Sequence, residues 1–224
     1  MIAEQIQRFH AQLPPHVKLI AVSKFHPAEC IQEAYEAGQR RFGENHVQEM
    51  VQKHGLLPAD IEWHFIGHLQ TNKVKYIVPF VTLIHGVDSL KLLQTIDKEA
   101  RKVGRVVPCL LQIHIAHEET KFGFSPDECL EMLASDAWKE LTHVRLCGLM
   151  GMATFTDDTQ EIRREFHSLH QLFLECKQQY FSHDEAFAEL SMGMSDDYHI
   201  AIEEGSTMVR IGTSIFGERD YSKK

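Results

Sequence analysis

Residues 17–38 read VKLIAVSKFHPAECIQEAYEAG, and this stretch decides the predicted fold. The short apolar and β-branched run at residues 17–22 predicts a buried strand. The run at residues 27–38 predicts a helix, because Pro27 suits a first helical turn that needs no N–H donor and Gly38 suits a left-handed C-cap. The stretch is therefore one strand followed by one helix.

The same alternation continues along the rest of the sequence. Further strands are predicted at residues 40–43, 62–66, 81–86, 107–115, 144–151, 188–191 and 208–211. Further helices are predicted at residues 89–104, 125–134 and 157–180. Strict alternation of strands and helices implies parallel strands that are joined by right-handed helical crossovers.

Eight strand–helix units within about 200 residues fit an α/β fold of the closed (β/α)8, TIM-type barrel class. An open doubly wound sheet is the alternative, although the first strand lacks the Gly-x-Gly-x-x-Gly loop that dinucleotide-binding sheets carry. We also expect an extra helix at the N-terminus. Because no Pro-, Gly- or Ser-rich linker interrupts the pattern, residues 1–224 are expected to form a single domain.

The composition argues against several classes of function. A net charge of −9 disfavours nucleic acid and anionic membranes as main partners, because both require basic patches. No run approaches the roughly 18 apolar residues of a membrane span, and the N-terminus lacks the apolar core of a signal peptide. The five cysteines are scattered and lack C-x-x-C spacing, as in a reduced protein. We therefore expect a cytoplasmic monomer.

Lys24 is the first candidate for chemistry. Barrel enzymes carry their functional groups at the C-terminal ends of the strands, and Lys24 follows the first strand directly after Ser23. Partial burial there lowers a lysine pKa from about 10.4 and makes the neutral amine available as a nucleophile toward aldehydes. The alternative is a solvated lysine that begins a loop.

The last two strands both run into a glycine, a hydroxyl side chain and a helix. These junctions are residues 191–195 (SMGMS) and 212–214 (GTS). Glycine lets the backbone approach an anion, hydroxyls donate hydrogen bonds, and helix N-termini offer N–H groups. The loops after strands seven and eight commonly hold phosphate in such barrels, so a phosphate site is favoured over ordinary helix capping.

Arg210 lies inside the apolar eighth strand. The two-residue period of a strand places it on the same side as Gly212, at the mouth of the barrel. A buried arginine requires a partner. That partner is either an acidic residue elsewhere in the barrel or a ring nitrogen of a bound cofactor, and the residues alone leave both open.

Several other polar residues near strand ends are weaker candidates. Asn45 follows the second strand and either faces the mouth or caps a helix. Lys73 and Lys121 near strand-end loops are typical of solvated charges, and their roles stay open.

Two histidine pairs also lie near strand ends. The pairs His64/His68 and His114/His117 raise the possibility of a metal, but the sequence has no H-E-x-x-H motif and no clear third ligand. We expect no metal site.

Five segments together resemble one known family. They are residues 21–24 (AVSK), 42–45 (FGEN), 64–73 (HFIGHLQTNK), 190–195 (LSMGMS) and 209–217 (VRIGTSIFG). In this order they resemble the pyridoxal phosphate homeostasis protein family, whose barrel is similar to the N-terminal domain of bacterial alanine racemase.

The resemblance implies a pyridoxal 5′-phosphate (PLP) site. It implies that Lys24 forms the Schiff base, that Arg210 faces the pyridine nitrogen and that Asn45 lies close to the cofactor. It places the phosphate on Ser191, Gly193, Met194, Ser195, Gly212 and Thr213. One departure from the family pattern is Phe122, which replaces a small or polar residue beside Lys121, so no role is assigned to Lys121.

The expected function is to hold PLP on a lysine for intracellular vitamin B6 homeostasis and for delivery to apo PLP-enzymes, without an established reaction. One alternative is a single-domain PLP-dependent racemase or lyase acting on amino acids. In alanine racemases the second acid/base is a tyrosine from a separate domain, which this sequence is not expected to have. A third reading is a barrel enzyme that acts on a phosphorylated sugar and uses Lys24 without PLP.

Overall fold

Eight parallel strands close into a barrel in the computed structural model, which describes residues 1–117 and 122–218. Each strand pairs with the next along the chain, and β1 also pairs with β8. The strands are β1 (Lys18–Val22), β2 (Arg41–Glu44), β3 (Glu62–Phe65), β4 (Leu83–Val87), β5 (Val107–Ile113), β6 (Val144–Gly151), β7 (Glu189–Ser191) and β8 (Met208–Ile211). The predicted (β/α)8 barrel is confirmed, and the open sheet is excluded.

Helices connect the strands on the outside of the barrel. They are α1 (Ile2–Gln12), α2 (Ala28–Glu36), α3 (Val47–Leu56), α4 (Val74–Ile77), α5 (Leu90–Lys102), α6 (Pro126–Ala134), α7 (Thr159–Tyr180), α8 (Tyr198–Glu203) and α9 (Thr213–Phe216). Two short 3-10 helices lie at Thr71–Lys73 and Ala137–Glu140. The predicted N-terminal helix is α1, which buries Ile6 and Phe9. Within the described part of the chain, no helix has both the length and the hydropathy of a membrane span.

Local sequence signals explain where several helices begin and end. Ser125 and Glu128 form a capping box at the start of α6, because each side chain accepts a hydrogen bond from the other residue's backbone N–H, at 3.1 and 2.7 Å. Gly38 and Gly104 follow α2 and α5 with φ angles of +100° and +66°. Glycine adopts this left-handed conformation without steric cost, so both helices end as predicted.

The barrel interior combines an apolar half with a polar half. An apolar cluster fills one part and consists of Ile20, Leu83, Leu110, Cys147, Met150 and Met208. Buried polar side chains lie on β3, β4, β5, β7 and β8, namely His64, His85, Gln112, Ser191 and Arg210. Buried polar groups require partners, so the polar half points to the functional part of the molecule.

Candidate functional site

A cavity of about 340 Å³ opens at the C-terminal ends of the strands. Seven of the nine residues that the sequence predicts to bind a cofactor line it, and they are Lys24, Asn45, Met194, Ser195, Arg210, Gly212 and Thr213. The other two, Ser191 and Gly193, do not belong to its lining. The cavity therefore joins residues from β1, β2 and the two C-terminal junctions, which lie far apart in sequence.

Lys24 is half-buried, and the residues on both sides of it are held in place. The Ser23 hydroxyl donates to Glu44 Oε1 at 2.6 Å, and the Ser23 N–H donates to the Gly43 carbonyl at 3.1 Å. Phe25 has a φ angle of +66°, and its N–H donates to Glu49 Oε1 at 2.6 Å. These contacts turn the chain sharply after β1 and present Lys24 to the cavity.

A buried ion cluster behind Lys24 provides those contacts. Lys53 of α3 is 5% exposed, and its Nζ donates to Glu44 Oε1 at 2.7 Å, to Glu49 Oε1 at 2.7 Å and to the Ser23 carbonyl at 2.8 Å. Burial raises the pKa of Glu44 to about 7, against the opposing effect of the Lys53 charge. Sequence analysis missed this cluster, although a lysine four residues after Glu49 on a helix is a signal for an ion pair.

Arg210 lines the cavity and is held by a hydroxyl group and a backbone carbonyl. It is 3% exposed and donates to Ser191 Oγ at 2.7 Å and to the Gly151 carbonyl at 3.1 Å. Removal from water lowers its pKa to about 10, partly offset by the charge of Asp197, so the guanidinium stays protonated at neutral pH. Among the described residues, no carboxylate forms a salt bridge with it. Of the two partners that the sequence leaves open, an acidic residue is therefore not the one that holds Arg210, and a ring nitrogen of a cofactor stays a prediction.

The two junctions supply hydroxyl groups to the cavity wall. Gly193 turns the chain after β7 with a φ angle of +99°, and Ser195 then reaches the lining. Thr213 begins α9 directly after Gly212 and also lines the cavity. The Met194 N–H donates to Asp197 Oδ1 at 2.6 Å, so this backbone donor is already satisfied. The hydroxyls of Ser195 and Thr213 are left as the donors best suited to an anion.

Asn45 provides a structural test of whether the cavity suits a polar ligand. Its Oδ1 atom is buried without a hydrogen-bond partner, although the residue lines the cavity. Gly67 packs against it so closely that a Cβ there would lie 2.6 Å from the Asn45 Cβ. An orphaned buried acceptor is costly unless a ligand or water completes it. The asparagine is therefore suited to a ligand that carries a hydrogen-bond donor.

His68 and Phe122 form a wall of the cavity that the sequence did not predict. Their rings stack with centroids 3.9 Å apart, and His68 Nδ1 lies 3.0 Å from Asp88 Oδ2. Lys121 lies outside the described residues, and Lys73 does not belong to the lining. His64 lies within β3 and is buried in the barrel, not at its mouth.

His117 lies in a separate acidic group. Its Nε2 is 3.3 Å from Glu161 Oε1, and Glu165 is close by. Glu165 already accepts hydrogen bonds from the Thr154 N–H and hydroxyl at 2.7 and 2.6 Å. We propose no metal for this group, since its contacts are those of an ion pair between a loop and α7.

The cavity combines four kinds of group. An amine can attack an aldehyde, two hydroxyls can bind a phosphate, a guanidinium can donate to a ring nitrogen, and a buried amide oxygen can accept a hydrogen bond. A phosphorylated aromatic aldehyde with a ring nitrogen and a ring hydroxyl group matches all four.

Comparison with known proteins supports this chemistry. The chain matches the family described as "Alanine racemase, N-terminal domain" over residues 1–220. The pyridoxal phosphate homeostasis protein of Aquifex aeolicus is 43% identical over 205 residues, which cover 91% of this chain and 88% of that protein. The human protein of the same name is 39% identical over 239 residues and covers 100% of this chain and 86% of its own length. These relatives are named as homeostasis proteins, not as enzymes.

The solved structures of PipY from Synechococcus elongatus are similar over nearly the whole fold. The structure without PLP has a TM-score of 0.91 and 40% identity, and the structure with PLP bound has a TM-score of 0.88 and 39% identity. Each alignment covers 97% of this chain and 100% of PipY. Together with the match over residues 1–220, these identities show that the chain belongs to the alanine racemase N-terminal domain family, alongside the pyridoxal phosphate homeostasis proteins.

Proposed function

We propose that this chain binds PLP in the mouth cavity, as a Schiff base with Lys24, and serves in intracellular PLP homeostasis. The observation that carries the proposal is that seven of the nine predicted residues line one cavity. The PLP-bound structure of PipY, at 39% identity, supports the choice of ligand. We further propose that residues 1–224 act as one PLP-binding barrel domain, as a monomer in the cytoplasm.

Each group in the cavity has a role that follows from its chemistry. Lys24 supplies the amine, and the turn held by Ser23 and Phe25 orients it. The Ser195 and Thr213 hydroxyls bind the phosphate. Arg210 donates to the ring nitrogen, and Asn45 accepts from a cofactor donor. Met194, Gly212, Gly193 and Ser191 shape these positions from the lining or directly behind it.

Holding and delivering the cofactor is favoured over catalysis. When bound, PLP supplies an aldehyde that condenses with primary amines and a ring that withdraws electrons. Because a guanidinium only donates hydrogen bonds, Arg210 leaves the ring nitrogen unprotonated and weakens that withdrawal. The names of the relatives agree with a homeostasis role. We propose apo PLP-enzymes as the recipients.

Borohydride reduction followed by peptide mapping tests the proposal. Purified protein incubated with PLP is expected to show a visible absorption band that borohydride abolishes. Mass spectrometry of a proteolytic digest is then expected to place the reduced pyridoxyl group on Lys24. Labelling that occurs mainly on Lys73 or Lys121 contradicts the assignment, and the absence of any visible band contradicts PLP binding itself.

A further inference from the structure

A continuous string of buried hydrogen bonds runs down the barrel from Arg210. Arg210 donates to Ser191 Oγ at 2.7 Å, and Ser191 Oγ lies 2.9 Å from His85 Nδ1. His85 Nε2 then lies 2.9 Å from His64 Nδ1. The three residues below Arg210 are 0–3% exposed. The string therefore connects the cofactor cavity to the inside of the barrel on β3.

The donors and acceptors of the string can be assigned by counting protons. Arg210 can only donate, so Ser191 Oγ accepts from it. Within the described chain, His85 Nδ1 is the acceptor within reach of the Ser191 hydroxyl proton. His85 must then carry its own proton on Nε2 and donate it to His64 Nδ1. By the same reasoning, His64 carries its proton on Nε2.

Both imidazoles are neutral in this arrangement. Burial lowers the pKa of His64 to about 3, with further contributions from the charges of Arg41 and Lys18. Burial also lowers the pKa of His85 well below its ordinary value, and the charges of His64 and Arg210 act in the same direction. A second positive charge beside a buried guanidinium is unfavourable, so both imidazoles stay neutral. The string is therefore described by its proton order, that is, by which nitrogen of each ring carries the proton.

The direction of the hydrogen bonds favours the buried arginine charge. Each group points a lone pair toward Arg210 and a proton away from it, so the dipoles are aligned. Aligned hydrogen bonds in a low-dielectric interior strengthen one another. No described carboxylate forms a salt bridge with Arg210, so these dipoles and the Gly151 carbonyl stabilise the guanidinium together with the charge of Asp197.

The string ends at His64, whose second ring nitrogen has no hydrogen-bond partner among the described residues. His64 Nε2 is buried without a partner, and His64 also lines a second cavity, of about 190 Å³, at the base of the barrel. Lys18, Arg41, Glu62 and Glu189 line the same cavity, so it is polar. A water molecule occupies roughly 30 Å³ in the liquid, so the cavity has room for an acceptor.

We propose that His85 and His64 are positioning residues for Arg210. Through Ser191 they form a one-directional hydrogen-bonded string that fixes the guanidinium toward the mouth cavity and ends in an N–H donor to water at the barrel base. The effect on the cofactor rests on the proposed function above. The proton order does not, because it follows from the chain's own residues.

Nuclear magnetic resonance of the protein without PLP tests the proton order. In a histidine-labelled sample, long-range nitrogen–proton correlations are expected to identify both His64 and His85 as Nε2–H tautomers. Neither is expected to titrate between about pH 5 and 9. A proton on Nδ1 of either residue, or titration of His85 in this range, overturns the proposal.

A ligand comparison tests the positioning of Arg210. His85→Phe keeps a planar ring but ends the string, and Ser191→Ala breaks it with a smaller change in volume. Each variant is expected to weaken PLP binding roughly tenfold, the lower range for a hydrogen bond to a charged group. An analogue with a C–H in place of the ring nitrogen is expected to bind each variant as it binds the wild type.

The two ligands separate positioning from damage to the fold. Equal weakening of PLP and its analogue in both variants indicates a structural role and overturns the proposal, as does unchanged binding of both ligands. His183→Asn is the control, since this side chain is exposed and takes part in none of the hydrogen bonds of the string. If the wild type fails to bind PLP, the proposed function fails, while the tautomer measurement still decides the proton order.

Discussion

Two lysines lie at the two ends of β1, one at the base of the barrel and one at its mouth, and their surroundings differ. Lys18 opens β1 at the base and forms a salt bridge with Glu189 of β7. Beside it, Arg41 Nε lies 3.0 Å from Glu62 Oε2. Lys24 follows β1 at the mouth and lines a cavity together with Arg210, whose hydrogen-bond acceptors are neutral oxygens. The base pairs Lys18 with a carboxylate, whereas the mouth places Lys24 on the wall of a cavity that can hold a ligand.

This difference shows how position along a strand decides the use of a residue. A carboxylate partner favours the protonated form of an amine, and a protonated amine is not a nucleophile. Lys18, which Glu189 holds, is therefore suited to stability, whereas Lys24 lines the cavity in which a ligand can react with it. The division agrees with the general behaviour of such barrels, in which function gathers at the C-terminal ends of the strands.

The strongest test of this comparison is to remove each lysine in turn. Lys24→Ala is expected to abolish the visible PLP band and the borohydride-trapped pyridoxyl label, because Lys24 is the one lysine among the described residues that lines the cavity. Lys18→Met is expected to retain both signals at wild-type levels, since it changes only the base. Absorption spectra and mass spectrometry of the reduced proteins provide the measurement. Loss of the label in Lys18→Met, with the fold intact by circular dichroism, contradicts the assignment.

The second test concerns the buried ion cluster behind the mouth. The pKa of Glu44 is raised from 4.5 to about 7, so the folded protein binds this proton more tightly than the unfolded chain. The unfolding free energy that Glu44 contributes is therefore fully present below about pH 4.5 and is lost as pH rises through about 7. The loss is at most about 3 kcal/mol, because one pKa unit corresponds to about 1.36 kcal/mol.

Glu44→Gln is expected to remove this pH dependence. Chemical denaturation between pH 5 and 8 measures it, and the variant's profile is expected to be flatter than that of the wild type. Glu62→Gln is the matched control, since it removes a carboxylate from a half-exposed ion pair at the base, where such pairs contribute little. If the free energy of unfolding of Glu44→Gln depends on pH as that of the wild type does, Glu44 is not the source of the pH dependence.

The fold could be predicted because strand burial leaves a clear sequence signal. The bounds of β6 and β8 match the prediction residue for residue. Strand β4 begins at Leu83 and not at residue 81, because Val81 is buried without being part of the strand. An apolar sequence pattern indicates which residues are buried. The end of a strand depends on backbone hydrogen bonds to the neighbouring strand, which the pattern does not show. Helices α3 and α4 were not predicted individually because polar residues interrupt their apolar faces.

The site could be predicted only in part. The sequence pattern indicates which residues are buried, but it does not indicate which residues contact one another. Arg210 was identified because it is polar inside an apolar strand, and His85 within residues 83–87 (LIHGV) carries the same signal, which was not used. The hydrogen-bond partners of each buried polar side chain depend on how the strands close into a barrel. Ser191 was assigned to phosphate from its junction, yet its hydroxyl contacts Arg210 and His85. No property of one strand alone indicates this contact.

The third test compares hydroxyl groups at the two ends. The double variant Ser195→Ala/Thr213→Ala is expected to weaken PLP binding by about 1–3 kcal/mol, the usual range for lost hydrogen bonds to a charged group. Pyridoxal, which lacks the phosphate, is expected to bind nearly as it does to the wild type. Thr82→Ala at the base cavity is the control and is expected to leave both affinities unchanged. Equal weakening of PLP and pyridoxal in the double variant shows that the phosphate lies elsewhere.

The smallest expected effect is on amino-acid chemistry, and it separates a carrier from an enzyme. Because Arg210 donates to the ring nitrogen, the ring stays unprotonated and is a weak electron sink. Positioned acid–base groups contribute roughly 10²–10⁴-fold to proton transfer, so a carrier that lacks them should exchange α-protons no faster than free PLP. The PLP-loaded protein is to be incubated with L-alanine in deuterated water, with exchange and product chirality followed by nuclear magnetic resonance. Turnover of about one per second or faster, the low end of typical enzymes, that disappears in Lys24→Ala contradicts the carrier role. The mouth cavity would then support catalysis and not only the storage of the cofactor.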